Sequence, residues 1–252
     1  AGHIPTRVGT RHAVTSGLAS LEHLYDILIS TSTEEDAIRA EILDEISGPA
    51  SQDINPQSAE KNRTNRLLAT YSPKKADALF KLIREHGTWL TPTLLVNADP
   101  RCPGSPLPPI DDAFLSDLPG YLQRFVQLPD ATREDIELDC RRFEKLSALV
   151  GEMEKAELPL LAGSDGPNPG VKPGMGLHDE LMLLVRAGLS PARALQIATR
   201  DAARFMGQGD ALGTIEVGKV ADLVLLDANP LDDIRNTRRI THVIVNGVPV
   251  EQ

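Results

Sequence analysis

Long apolar runs are missing from this sequence: none approaches the roughly 18 residues that a membrane-crossing helix needs, so no bilayer-spanning segment is expected. Cysteine is nearly missing too. Cys102 and Cys140 are too few for a disulfide framework, and they leave open one bridge or two free thiols. Positive charge is short: 26 Lys+Arg stand against 36 Asp+Glu, a net charge of −10. An acidic balance of that size argues against nucleic acid or an anionic membrane as the main partner. The pairs Lys74-Lys75 and Arg238-Arg239 are too sparse to reverse it. No signal peptide is recognisable at Ala1-Gly2-His3-Ile4-Pro5, which also does not read as a natural start. A cytoplasmic setting is favoured, without a visible true N-terminus to fix it.

What is present is ordinary globular material, 41% hydrophobic and 25% charged over 252 residues. Ser32-Thr33-Glu34-Glu35 reads as a capping box opening a helix to about Ile46, closed by Gly48-Pro49. Residues 48–66 read as a polar, turn-rich excursion. Ser72-Pro73 opens a second helix, with Ala76, Leu79, Phe80 and Ile83 on its inner stripe and Gly87 at its end. Residues 88–96 then read as a short buried strand in which Pro92 marks a bulge or a strand end. Five prolines in 100–109 make a rigid loop, and helices are expected near 111–127 and 132–156. In the latter, Ile136, Cys140, Phe143, Leu146, Val150 and Met153 form the apolar stripe. A strand at 158–163 precedes helices near 177–187 and from Ser190-Pro191 onward.

From Leu212 the pattern turns to β. Residues 212–219 read as hairpin-like, and 220–227 and 242–247 as strands, the second ending in a hairpin turn at Asn246-Gly247. The body before it alternates strands and helices, which indicates a parallel sheet with helical crossovers, an α/β fold. Strands ending near His3, at 18–22, at 88–96 and at 158–163 give four βα units, half of the eight that close a (β/α)₈ barrel.

Polar residues stand where three of these strands stop: His3, His23 and Asp165. Strand C-termini are where barrel enzymes place their chemistry. Two imidazoles and a carboxylate also suit a zinc-class divalent ion. Each alone has a plain structural explanation, a satisfied histidine or a turn aspartate before Gly166-Pro167. Tyr25 and His178 are secondary candidates for substrate contact, whereas His86 reads as a last-turn histidine complementing a helix dipole. His12 and His242 read as surface residues, and Gly207-Gln208-Gly209 lacks the glycine spacing of a nucleotide loop.

Taken in order, Ala1-Gly2-His3-Ile4-Pro5, Ser20-Leu21-Glu22-His23, Gly87 to Leu94, Leu161-Ala162-Gly163-Ser164-Asp165, Leu177 to Thr199 and Leu212 to Val224 resemble the amidohydrolase superfamily. The likeness is to its imidazolonepropionase-like, metal-dependent branch. The resemblance implies that His3 and His23 are the metal ligands closing barrel strands five and six. It implies that Asp165 is the strand-eight residue that binds metal and moves a proton. Residues 1–206 would then be strands five to eight of a TIM-type barrel, and 207–252 the C-terminal part of a small β-sandwich. A complete site of this kind holds one or two divalent ions, zinc foremost, and no organic cofactor is implied. The family's strand-one His-x-His pair has no counterpart, since no His-x-His occurs in the chain.

The resemblance therefore implies a hydrolase that cleaves an amide or related bond in a small-molecule or peptide substrate with metal-activated water. The alternatives are a truncated, non-catalytic fragment, or a subunit whose partner supplies the first half of the barrel. Four parallel strands leave open sheet edges, so self-association or pairing with that missing half is expected.

Overall fold

The structure, a computed structural model, describes residues 1–5, 7–47 and 56–250. Four extended segments lie side by side and parallel, in chain order. Gly2 bridges Leu21 of β1 (Ser20–Glu22), β1 pairs with β2 (Trp89–Thr91), and Leu90 of β2 bridges Leu160. Leu21, Leu90 and Leu160 form one row across this sheet, each fully buried, at the centre of the main apolar cluster. Among the described residues the sheet does not close into a barrel.

Parallel neighbours require long crossovers, and helices supply them. α1 (Thr10–Thr15) precedes β1; α2 (Tyr25–Ser30), α3 (Glu35–Ser47), α4 (Pro56–Ala69) and α5 (Pro73–His86) lead to β2. α6 (Asp112–Asp117), α7 (Gly120–Val126) and α8 (Arg133–Lys155) lead to Leu160, and α9 (Gly176–Arg186), α10 (Pro191–Ala198) and α11 (Arg200–Phe205) follow. Local chemistry explains the ends. Ser72 Oγ accepts the Lys75 N–H at the start of α5, and Gly87, at φ 62°, closes it in the left-handed conformation that glycine adopts without penalty. α8 opens on a reciprocal box in which Thr132 Oγ1 accepts the Asp135 N–H at 3.2 Å and Asp135 Oδ2 accepts the Thr132 N–H at 3.1 Å. Phe143, Leu146, Val150 and Met153 of its expected stripe are buried, with Leu138 and Leu149 beside them.

Several expectations fail for identifiable reasons. Residues 56–69 are helical, not turn-rich: Leu67 is buried in the core, Arg141 Nη2 of α8 donates to Asn65 Oδ1 at 2.8 Å, and Arg66 Nη1 on Glu41 at 2.7 Å and Nε on Glu34 at 2.8 Å tie this mostly polar helix to α3 and the residue before it. The rest of that excursion, with the Gly48-Pro49 stop, lies outside the described residues. Ser32 makes no capping box; its Oγ accepts from the Glu34 N–H at 3.0 Å, and α3 begins at Glu35. The expected 111–127 helix is two helices, because Pro119 lacks the N–H to continue one. β2 stops at Thr91, and residues 94–97 turn into a 3₁₀ helix.

The C-terminal residues form a separate antiparallel sheet, β3 (Leu223–Leu226), β4 (Ile240–Val245) and β5 (Val248–Pro249). Asn246 and Gly247, at φ 50° and 80°, make the β4–β5 turn, as the Asn-Gly pair leads one to expect. Residues 212–219 form no hairpin. A Cβ on Gly213 would lie 2.7 Å from Ala203 Cβ, so this stretch packs tightly on α11, and Lys219 Nζ holds Gly209 O and Thr214 Oγ1 at 2.8 and 2.5 Å. A 3₁₀ turn, Ile234–Arg238, fastens the tail to α9: buried Asp179 pairs with Arg238, and His178 Nδ1 lies 3.0 Å from Thr237 Oγ1.

Cys102 and Cys140 are bridged, with Cα atoms 5.6 Å apart, which fastens the proline-rich loop to α8. A bridge between residues separated by 38 positions restrains the unfolded chain by about 3–4 kcal/mol. Reducing it should lower the unfolding free energy by about 2–4 kcal/mol, read from urea melts with and without dithiothreitol; coincident melts would contradict the bridge.

Glu180 is fully buried in α9, and its carboxyl accepts the Leu94 and Leu95 N–H groups at 3.0 and 2.8 Å. Burial raises its pKa from 4.5 to about 8, against the lowering effect of those two hydrogen bonds. The folded state thus holds a proton that the unfolded state has released, and stability should fall as pH rises from about 4.5 to about 8. Relative to Glu180→Gln, the wild type should lose up to about 1.4 kcal/mol per pH unit across that window. At pH 5 the variant should be the weaker by about 1–3 kcal/mol, because its amide turns a donor towards a backbone N–H. Parallel pH profiles for the two proteins would refute the assignment.

Candidate active site

Three adjacent segments of the parallel sheet end in residues with left-handed backbone: His23 at φ 65°, Thr93 at 46° and Asp165 at 49°. Non-glycine residues rarely adopt this region, and a β-branched one such as Thr93 is a true outlier. The last ladder bond runs from the His23 N–H to Thr91 O at 3.0 Å, after which the chain turns. At the fourth segment Gly163 is required, since a Cβ there would lie 2.7 Å from Thr91 Cγ2.

These turns bring the three residues singled out from the sequence together. His3 Nε2 lies 2.8 Å from His23 Nε2, the two rings stacking with centroids 4.7 Å apart. His23 Nε2 lies 3.5 Å from Asp165 Oδ2. On its other side, His23 Nδ1 lies 2.5 Å from Thr93 Oγ1. Asp165 is itself fixed by Asn168, whose Nδ2 donates to the Asp165 carbonyl and, at 3.1 Å, to Oδ2.

A cavity of 180 Å³ adjoins the pair, lined by His3, His23, Tyr25, Glu22 and the aliphatic Ile4, Ile29 and Ile42, with Asp26 and Arg39 closing one wall. Those last two neutralise each other: Arg39 Nη1 and Nη2 donate to the Asp26 carboxylate at 2.7 and 3.0 Å, and Thr10 adds a backbone N–H at 2.8 Å. Tyr25 is 42% exposed, and partial burial raises its hydroxyl pKa, partly offset by Arg63. His178 is not among the cavity-lining residues; its ring meets the tail at Thr237, and burial, then Arg238, lowers its pKa.

The donor set suits a divalent ion. Two imidazole nitrogens and a carboxylate oxygen this close require a proton or a cation between them. The spacing is that of a shared proton, since 2.8 Å is shorter than the roughly 3.3 Å between donors around a tetrahedral zinc. Among the described residues no three such side chains are already set at coordinating geometry.

Sequence reasoning missed Thr93 and Glu180. The clue to Thr93 was Pro92, which ends the ladder and puts the next residue in the turn; Glu180 offered none, as a helical carboxylate ordinarily faces water.

Imidazolonepropionase of Aromatoleum aromaticum is 54% identical over 59 residues, 23% of this chain and 14% of that protein. Among solved structures, a bottromycin amidohydrolase superposes with a TM-score of 0.62 at 22% identity, covering 99% of this chain and 49% of that one. An Xaa-Pro dipeptidase with bound methionine in its active site gives 0.55 at 18%, covering 96% and 42%. At these identities the structural likeness is one of fold, and the chain spans less than half the length of either structure. A sequence profile of the amidohydrolase family matches residues 25–250, nearly the whole length, and the chain belongs to that family.

Proposed function

We propose that this chain carries the metal-binding and proton-transferring half of a hydrolase active site that cleaves an amide C–N bond. The observation that carries this reading is the convergence of His3, His23 and Asp165 at the ends of adjacent parallel segments. A zinc-class ion, when bound, supplies a Lewis acid that makes water nucleophilic near neutral pH and polarises the scissile carbonyl. His3 and His23 offer Nε2 electron pairs to it, and Asp165 offers Oδ2. The Asp165 side chain is 45% exposed, so it meets water directly. Its carboxylate takes a proton from the attacking water and returns it to the leaving nitrogen, as a general base and then a general acid. Asn168 holds that carboxylate while the proton moves. Tyr25, whose hydroxyl keeps its proton at neutral pH, offers a hydrogen bond to a substrate in the adjoining cavity. A cavity of 180 Å³ with an aliphatic wall suits a small molecule or one residue of a peptide.

Residues 1–206 act in this reading as strands five to eight of a TIM-type barrel, and 207–252 as part of a flanking β-sandwich. The outer segments, at Gly2 and Leu160, have no further strand partner among the described residues. The remaining strands and ligands then come from further chain, from a second polypeptide, or from self-association.

Protein purified without chelator should retain about one zinc-class ion, weakly, because three ligands leave an open position. Elemental analysis should show that ion lost from the His3→Ala, His23→Ala double variant; equal metal in the two would defeat the ligand assignment. In a turnover-competent form with the barrel complete, Asp165→Asn should lower turnover by roughly 10²–10⁴-fold. Activity within a few-fold of wild type on amide substrates would assign the base elsewhere.

A further inference from the structure

We propose that Thr93 is a positioning residue that sets the tautomer of His23: its hydroxyl oxygen accepts the Nδ1 proton and leaves Nε2 as the bare electron pair facing His3 and Asp165. The proton count supports this. Thr93 Oγ1 has one proton, and it donates that proton to Pro92 O at 2.8 Å. With that proton on Pro92 O, the same oxygen, 2.5 Å from His23 Nδ1, accepts from it. A neutral imidazole carries one N–H, so a proton on Nδ1 leaves none on Nε2. Thr93 is 2% exposed, so bulk water does not compete for its hydroxyl oxygen.

The backbone at Thr93 is held for this purpose. Its φ of 46° is one that a β-branched residue avoids, and strain of that kind persists only where the surroundings over-determine it. Buried Glu180 supplies the restraint, gripping the next two N–H groups, Leu94 and Leu95, from the opposite element. Neither Thr93 nor Glu180 reaches the cavity beside the histidines. Thr93 acts through His23, and Glu180 acts through the turn that presents Thr93.

The metal-binding consequence rests on the hydrolase reading, whereas the tautomer does not, and the experiment separates them. Histidine-selective ¹⁵N NMR of the chain without metal, at about pH 8.5 where imidazoles are neutral, reports which nitrogen of His23 bears the proton. His23→Gln identifies its resonances. The wild type should be predominantly Nδ1–H. Thr93→Val, nearly isosteric without the acceptor, should shift His23 towards Nε2–H, and Thr93→Ser should restore the wild-type form. Zn²⁺ titration should show an affinity loss of roughly 10–100-fold for Thr93→Val and recovery within a few-fold for Thr93→Ser. A wild type that is mainly Nε2–H overturns the proposal, as does a folded Thr93→Val with an unchanged tautomer. If Thr93→Val does not fold, the wild-type and Thr93→Ser spectra decide, and both must be Nδ1–H. A wild type that is Nδ1–H with Thr93→Val shifted, yet without measurable Zn²⁺ binding, would support the tautomer role while removing the hydrolase reading.

Discussion

The site depends on a backbone conformation that its residues resist. His23, Thr93 and Asp165 each leave the sheet at positive φ, at a cost of roughly 1–2 kcal/mol per L-residue. The gain is directional. Along a strand, side chains alternate between faces, so residues at neighbouring strand ends do not converge on one point by pleat alone. A left-handed residue breaks that alternation where the ladder stops. His23 and Asp165 thereby turn towards the same small region beside His3, while Thr93 is delivered to the far side of the His23 ring.

Strain of this size needs support, and at Thr93 it comes from α9. His178, Asp179 and Glu180 are consecutive, and at 100° per residue they point in well-separated directions around the helix. The first two reach the tail, at Thr237 and Arg238. Glu180 faces the strand ends and takes the two N–H groups beyond Thr93. One helical turn therefore fastens the C-terminal sheet and the loops at the parallel strand ends together. A buried carboxyl with a pKa raised to about 8 is a costly fastener, and two backbone donors that would otherwise lie unsatisfied in the core explain its presence.

The sequence was most legible where one local signal sufficed. Ser72-Pro73 with Gly87 bounded α5, Asn246-Gly247 marked a hairpin, and polar residues after short apolar runs marked the strand ends at His3, His23 and Asp165. Membership of the amidohydrolase family was legible from ordered motifs. Elements held by distant partners were not. α4 buries Leu67 without a continuous apolar stripe, and its polar side is tied by Arg66 to Glu34 and Glu41 of another segment. Residues 212–219 alternate like a hairpin, but packing of Gly213 on Ala203 overrides the pattern. Thr93 looked like the continuation of an apolar strand: Pro92 hinted at a turn, but the contact with His23, seventy positions earlier, leaves no mark on nearby residues.

The loop that carries Asp165 is braced from a second side, by the proline-rich insertion between β2 and α8. Gly170 N donates to Val126 O at 2.9 Å, and Lys172 Nζ donates to Pro109 O at 3.0 Å while lying 5.3 Å from the centre of the Phe114 ring. The insertion is itself secured near its start, where Cys102 is bonded to Cys140 of α8 and Arg101 is paired with Asp99. With so little regular structure of its own beyond two short helices, the insertion would have many conformations available without these ties. Asp165 is nearly half exposed, so burial does not fix it. Its position is therefore set by what holds its loop: α9 follows the loop directly, and the insertion packs across it. Rigidity at Asp165 is thus supplied partly by chain that adds no strand to the parallel sheet and no side chain to the cavity.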